Sequence, residues 1–163
     1  MPKNRFAETS ITATAFVVDG DPAAQGSKRL VSLRSGRSVM LENSRKVKPW
    51  RSAVAAAAKA ANCPLRSGDV LMCVRVRFSR PKSHFTSTGA IRASAPVRPG
   101  YADCDKLARA VCDALTGIAY HDDRQVACLS IEREWSDPGV GNGAVVMLSD
   151  APRAGDWKYC TRP

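Results

Sequence analysis

Residues 101–126 read YADCDKLARAVCDALTGIAYHDDRQV and hold five of the fifteen acidic residues in a chain whose net charge is +10. These five are Asp103, Asp105, Asp113, Asp122 and Asp123. Carboxylates that cluster on a folded surface repel one another, so they need either full solvation or a bound cation. In so basic a chain, the cluster predicts a metal site.

The centre of this segment has the period of an α-helix. Apolar residues recur every four positions and face one side, namely Leu107, Val111 and Leu115. Asp105 is suited to cap the start of the helix, and Gly117 is suited to stop it. Asp103 lies two residues before Asp105 in an extended run, so both carboxylates can face one ion.

A further carboxylate can reach the same place. The helix carries the chain roughly 16 Å away, and the residues after Gly117 can span about 20 Å back. Either Asp122 or Asp123 can therefore return to the end that holds Asp103 and Asp105.

Length and composition limit the classes of protein. A chain of 163 residues, 44% of them hydrophobic, is long enough for one domain with a real core. The pI near 9.7 favours a polyanionic partner, nucleic acid before a membrane surface. No apolar run is long enough to span a bilayer, and the N-terminus has no signal-like apolar region. We therefore expect a soluble, cytoplasmic protein that works at the nucleoid and has no membrane partner.

The order of elements predicts the fold class. Strands are predicted over residues 11–18, 70–78 and 126–135, and a helix follows Lys48-Pro49-Trp50-Arg51. Two short apolar runs around Ser35-Gly36 predict a hairpin. We expect an α+β single domain, with a small mixed β-sheet and two main helices packed on one face. Residues 1–10 are expected to be a flexible N-terminus, 11–148 the domain, and 149–163 a C-terminal tail.

Basic residues outside the acidic segment are candidates for contacts with DNA phosphates. They fall in the hairpin, before the first helix, on the polar face of the strand over 70–78, after that strand, and beside Asp105. The candidates are Lys28, Arg29, Arg34, Arg37, Lys48, Arg75, Arg77, Lys82 and Lys106. A merely solvated basic face is the alternative. The segment 79–100 has loop composition and is expected to be either a basic functional loop or a flexible one.

The acidic segment also resembles a known family. Asp103-x-Asp105-x-Leu107, then Asp113-Ala114-Leu115, then Asp122-Asp123-x-Gln125-Val126 is similar to the signature of RusA-type Holliday-junction resolvases. Looser similarity extends to Gly20-x-Pro22, Lys48-Pro49-Trp50-Arg51 and Arg80-Pro81-Lys82. The resemblance implies a homodimeric, Mg²⁺-dependent endodeoxyribonuclease of DNA recombination and repair, with Mn²⁺ as a substitute metal. The resemblance implies that this enzyme cuts four-way junctions at symmetrically related phosphodiesters.

Residue by residue, the resemblance assigns roles within the site. The metal-binding and catalytic aspartates of the family look like Asp103, Asp105 and Asp123. A family lysine one turn past the second aspartate falls on Arg109, which keeps the charge but not the pKa flexibility of lysine, so an electrostatic role is implied. The familiar Asn after that aspartate is replaced by Lys106. The role of Asp122 stays open, because it neighbours Asp123 but should point the other way.

Two other functions fit parts of the sequence. One is a non-catalytic, architectural DNA-binding protein whose aspartates are structural, and the other is a nuclease for flaps and other branched DNA. Phosphodiester hydrolysis needs an activated water and stabilisation of charge on the phosphate, and carboxylate-held Mg²⁺ provides both. A requirement for metal separates the nuclease from the architectural protein.

Overall fold

The computed structural model describes residues 13–26, 28–32, 38–42 and 45–151. For residues 28–32 and 38–42 it describes only the backbone. Two helices lie on one face of a four-stranded mixed sheet, which confirms the predicted α+β class. The strands are β1 Thr14–Asp19, β2 Lys28–Ser32, β3 Ser38–Glu42, β4 Val70–Phe78, β5 Val126–Trp135 and β6 Gly143–Asp150, and the helices are α1 Val47–Ala60 and α2 Cys104–Leu115.

The main sheet has the strand order β1-β6-β4-β5. β4 and β5 run parallel, whereas the other neighbours are antiparallel. A parallel pair needs a crossover, and α2 is the helix of that crossover. Within the described residues, β5 is an edge strand, and the start of α2 lies near the end of β5.

The core lies between the helices and one face of the sheet. The five alternate residues on one face of β4 are all buried, namely Val70, Met72, Val74, Val76 and Phe78. From α2 the three predicted apolar residues, Leu107, Val111 and Leu115, are fully buried against them. Gly143 fits where β6 meets β1, because a Cβ there would lie 2.1 Å from the Val18 carbonyl oxygen.

One detail of β5 departs from strict alternation. Alternation along the strand would put Ala127 on the same face as Leu129 and Ile131, but the ladder between β4 and β5 shifts by one residue at the start of β5. Val126 consequently packs against the core, and Ala127 is exposed. A β-bulge of this kind inserts one residue into a strand, and the alternation that precedes it does not reveal it.

The predicted hairpin is present as β2 and β3, which pair antiparallel in a separate two-stranded sheet. The predicted basic residues at its tip, Arg34 and Arg37, lie outside the described residues. The whole of the predicted flexible N-terminus, residues 1–10, and most of the predicted C-terminal tail, residues 149–163, also lie outside the described residues.

The long segment 79–100 has little regular structure, as its composition predicts, but it is anchored to the sheet. It contains a single 3₁₀ turn, Lys82–His84. The carbonyl oxygen of Pro96 accepts hydrogen bonds from Trp135 Nε1 at 2.9 Å and from Arg80 Nη1 at 3.2 Å. This shared acceptor fastens the loop to the end of β5. Within the described ranges, neither helix has the length and hydrophobicity needed to cross a bilayer.

Candidate metal and DNA site at helix α2

The first two predicted ligands lie at the N-terminal end of α2. Asp103 occupies the capping position and Asp105 lies in the first turn, so the predicted cap at Asp105 is wrong. The Asp103 side chain does not cap the helix, because its carboxylate accepts a hydrogen bond from Lys106 Nζ at 2.6 Å. At the other end of the helix, Gly117 adopts a positive φ of 77°, as predicted for a glycine that stops a helix.

The charge pair at Asp103 shifts both of its members. The hydrogen bond and the charge of Lys106 lower the pKa of Asp103, and Asp103 in turn raises the pKa of Lys106. The two side chains are 65% and 47% exposed, so water screens the pair strongly. Asp103 is therefore ionised at neutral pH and already has a cationic partner.

Arg133 is a site residue that the sequence reasoning did not single out. It lies near the end of β5, on the side of the sheet that faces the helices, and its guanidinium donates to the carbonyl oxygen of Ala102. Its charge also contributes to lowering the pKa of Asp103. The available signal was an arginine on the otherwise apolar face of a predicted strand, which indicates a charged group with a specific partner.

Asp123 lies elsewhere along the helix. It begins the exposed 3₁₀ turn Asp123–Gln125, close to Cys112 and Tyr120. Burial raises the pKa of the Cys112 thiol to about 11, and the charge of Asp123 adds to that rise. Tyr120 Oη donates to the Cys112 carbonyl oxygen at 2.9 Å, which holds the chain after α2 against the second half of the helix.

Asp122 caps the turn that carries Asp123. Its carboxylate accepts from the backbone N–H of Arg124 at 2.9 Å and from the Arg124 guanidinium at 2.9 Å. The hydrogen bonds from Arg124 lower the pKa of Asp122 to about 2. Asp122 uses its oxygens to fix the turn, whereas Asp123, the first residue of the turn, is exposed.

Gln125 completes the same turn. Its Oε1 accepts from the backbone N–H groups of His121 at 2.8 Å and Asp122 at 3.1 Å. Its Nε2 donates to the carbonyl oxygens of Arg66 at 3.0 Å and Gly68 at 2.8 Å. One amide thus joins the turn before β5 to the segment before β4.

The structure does not gather the three predicted ligands within one chain. Among the described residues, no three carboxylate, histidine or cysteine side chains are grouped so that they could hold one metal ion. Asp103 and Asp105 lie at the start of α2, whereas Asp123 begins a turn that follows Tyr120, and Tyr120 is hydrogen-bonded to Cys112 in the second half of the helix. Carboxylate oxygens are the donors that Mg²⁺ prefers, so the chemistry of the set fits the ion and its arrangement in a single chain does not.

A comparison with family models identifies the chain. The sequence matches the model described as endodeoxyribonuclease RusA over residues 19–141. This chain belongs to the RusA family. It is thus a RusA-family Holliday-junction resolvase endonuclease, which hydrolyses phosphodiester bonds and acts on branched DNA. A comparison with curated proteins found no match.

Two predicted DNA contacts of this RusA nuclease, Lys48 and Lys106, lie on the helices. Lys48 lines an open groove between α1 and α2 together with Arg51, and Ala114 lies at its other wall. Arg51 bridges the two helices by an ion pair with Asp113 at 3.4 Å. Arg109 is exposed on α2, one turn after Asp105, and Lys82 is exposed on the anchored loop.

Other predicted contacts lie away from α2. Arg75 and Arg77 are on the opposite face of the sheet, where their partners in register on β5 are Glu132 and Glu134. The structure therefore does not bring these two arginines to the aspartates of the RusA signature. The side chains of Lys28 and Arg29 lie outside what the structure describes.

Proposed function

We propose that this RusA nuclease resolves four-way DNA junctions by paired hydrolysis that depends on Mg²⁺ or Mn²⁺. Asp103, Asp105 and Asp123 would hold the ion. When bound, it supplies an activated water and neutralises charge on the phosphate. The observation that carries the proposal is the pair of exposed aspartates at the start of α2, inside a family of junction nucleases and beside basic side chains. Such an enzyme would work in the cytoplasm, on nucleoid DNA.

The protein's own groups prepare this end of α2 for an anionic substrate. Asp103 is ionised at neutral pH, as aspartates ordinarily are, and Lys106 lowers its pKa further, so Asp103 is ready as an oxygen ligand. Arg133, Lys106 and Arg109 surround the aspartates with positive charge that a DNA phosphate can use. Arg109 acts as a fixed charge, since arginine does not release its proton at neutral pH.

A symmetric homodimer is part of the proposal. Resolving a junction needs two cuts on strands related by a two-fold axis, and one chain has one copy of each aspartate. One chain also leaves Asp123 away from Asp103 and Asp105. We therefore place Asp123 of the partner subunit next to Asp103 and Asp105, so that two complete sites form when two chains associate.

A cleavage assay tests the activity. A mobile four-way junction, a linear duplex and a flap are incubated with the protein in Mg²⁺, in Mn²⁺ and in EDTA. Paired cuts in the junction that require the metal are expected, together with junction binding in EDTA. Binding without cutting in either metal would support the architectural alternative, and preferential cutting of the flap would support the branched-DNA alternative. Asp105→Asn should bind the junction and leave it intact.

A further inference from the structure

An aromatic cluster lies at the end of β5, next to the start of α2. The ring of Tyr101 is 5.8 Å from that of Trp135 and 5.7 Å from that of Phe78, measured between centroids. His84 meets Trp135 edge-on at 5.2 Å. Tyr101 nevertheless leaves 60% of its surface exposed. The cluster therefore holds one ring in place and presents it to solvent.

The supports of this ring are themselves fixed. Trp135 is tied through its indole N–H to Pro96, and the Arg80 guanidinium lies 4.9 Å from the centre of the Trp135 ring. Arg133 donates to the carbonyl oxygen of Ala102, the residue that follows Tyr101. Because this ring is already held in place, stacking a ligand on it costs the protein little conformational entropy.

The ring is close to the candidate metal site. Tyr101 precedes Asp103 by two residues, and Trp135 follows Arg133 by two residues on the same strand. Two residues of chain span at most about 7 Å, which is about twice the rise of roughly 3.4 Å per nucleotide along the axis of one DNA strand. A base that lies on Tyr101 would therefore belong to a nucleotide within about two positions of a phosphate at Asp103.

We propose that Tyr101, braced by Trp135 and Phe78, is a stacking platform for one unpaired base within about two nucleotides of the scissile phosphate. The inference rests on the proposed function, because it assigns a nucleotide subsite to the same nuclease site. Aromatic rings bind bases of any sequence, since every base has a π-face, and nearby arginines attract the backbone. A residue that only covers Phe78 would bury most of its own ring, and Tyr101 does not.

Abasic junctions test the platform without any cutting. Binding of fluorescent four-way junctions is measured in EDTA, with each nucleotide around the branch point replaced in turn by an abasic one. Tyr101→Ala should weaken binding of the intact junction about five- to a hundredfold. At one abasic position the wild type should weaken by a similar factor, and Tyr101→Ala should then cause no further loss. Tyr101→Phe should bind like the wild type.

Two further variants separate stacking from packing. Tyr101→Leu keeps an apolar cover over Phe78 but has no π-face, so it should lose affinity as Tyr101→Ala does. Val97→Ala removes an 86% exposed apolar side chain from the loop that precedes Tyr101 and should change binding by less than about twofold. Thermal unfolding midpoints confirm that each variant is folded.

The outcomes distinguish this subsite from the nuclease proposal. A leucine variant that binds like tyrosine would overturn the platform, as would an alanine loss that is equal on every abasic junction. A protein that cuts junctions normally while Tyr101→Ala binds unchanged would refute the platform alone. A protein that cuts no DNA but shows the abasic coupling would refute the proposed function and leave the platform in place.

Discussion

Mixing two inactive variants, Asp103→Asn and Asp123→Asn, tests whether two subunits share each metal site. If they do, a mixed dimer has both substitutions in one site and neither in the other. Each homodimer lacks one ligand at both of its sites. The mixture should therefore regain cutting that neither variant shows alone, although no intact chain is present.

The expected magnitude follows from the geometry. Asp105 and Cys112 are separated by seven residues of α2, which is about 10 Å along the helix axis, and Tyr120, three residues before Asp123, is hydrogen-bonded to the Cys112 carbonyl oxygen. Oxygens that share one Mg²⁺ at about 2.1 Å lie within about 4 Å of one another. Random exchange of chains makes about half of the dimers mixed, each with one intact site of two. Cutting should return to about a quarter of the wild-type site concentration, and only as single nicks.

A supercoiled plasmid with a cruciform is a suitable substrate, because one nick gives an open circle and paired cuts give a linear product. The matched control mixes Asp103→Asn with Asp105→Asn, whose substitutions affect ligands from the same chain, and this mixture should stay inactive. Mass spectrometry of tagged chains verifies that subunits have exchanged. No recovery in the first mixture, despite exchange, would show that each site lies within one chain. Recovery in both mixtures would refute the assignment of the ligands.

Three further outcomes are expected. Lys106→Asn removes the ammonium that occupies Asp103, so calorimetry should show Mg²⁺ binding about two- to fivefold tighter; weaker binding would make Lys106 a support of the site. Asp122→Ala removes a carboxylate whose pKa is lowered to about 2. Because the folded pKa lies below the unfolded one, the wild type should be the more stable above about pH 4, and its advantage should fade towards pH 2 in denaturant titrations; a gap that persists at pH 2 would contradict this. Gly143→Ala should lower the free energy of unfolding by about 1–3 kcal/mol, since its Cβ would meet a carbonyl oxygen of β1 at 2.1 Å, whereas Gly141→Ala, with nothing within 4 Å, should be neutral. An equal loss in both variants would contradict the steric explanation.

Local patterns predicted the elements well. The alternation in β4 and the four-residue period in α2 each identify a buried face, because the period of side-chain direction is fixed by the backbone. Gly117 was found for a similar reason, since a helix that stops needs a residue tolerant of positive φ. These properties depend only on short stretches of sequence, so the local pattern of residues is enough to predict them.

Properties that depend on distant contacts were not predictable in the same way. Chain length allows Asp123 to reach the start of α2, but the bond from Tyr120 to Cys112 holds the returning chain against the other half of the helix. Arg75 and Arg77 face away from α2 because the helices cover the other side of β4. Alternation shows that a strand has two faces, and only packing decides where each face points.

In the signature Asp122-Asp123-x-Gln125, the glutamine has a structural role that is separate from catalysis. All of its amide hydrogen-bonding capacity is spent on fastening two segments, with two N–H groups on carbonyl oxygens and one oxygen on backbone N–H groups. Deamidation to glutamate, a slow chemical ageing of the side chain, would set a carboxylate oxygen against the carbonyls of Arg66 and Gly68. Deamidation of Gln125 would thus displace Asp123 although every aspartate of the chain remains intact.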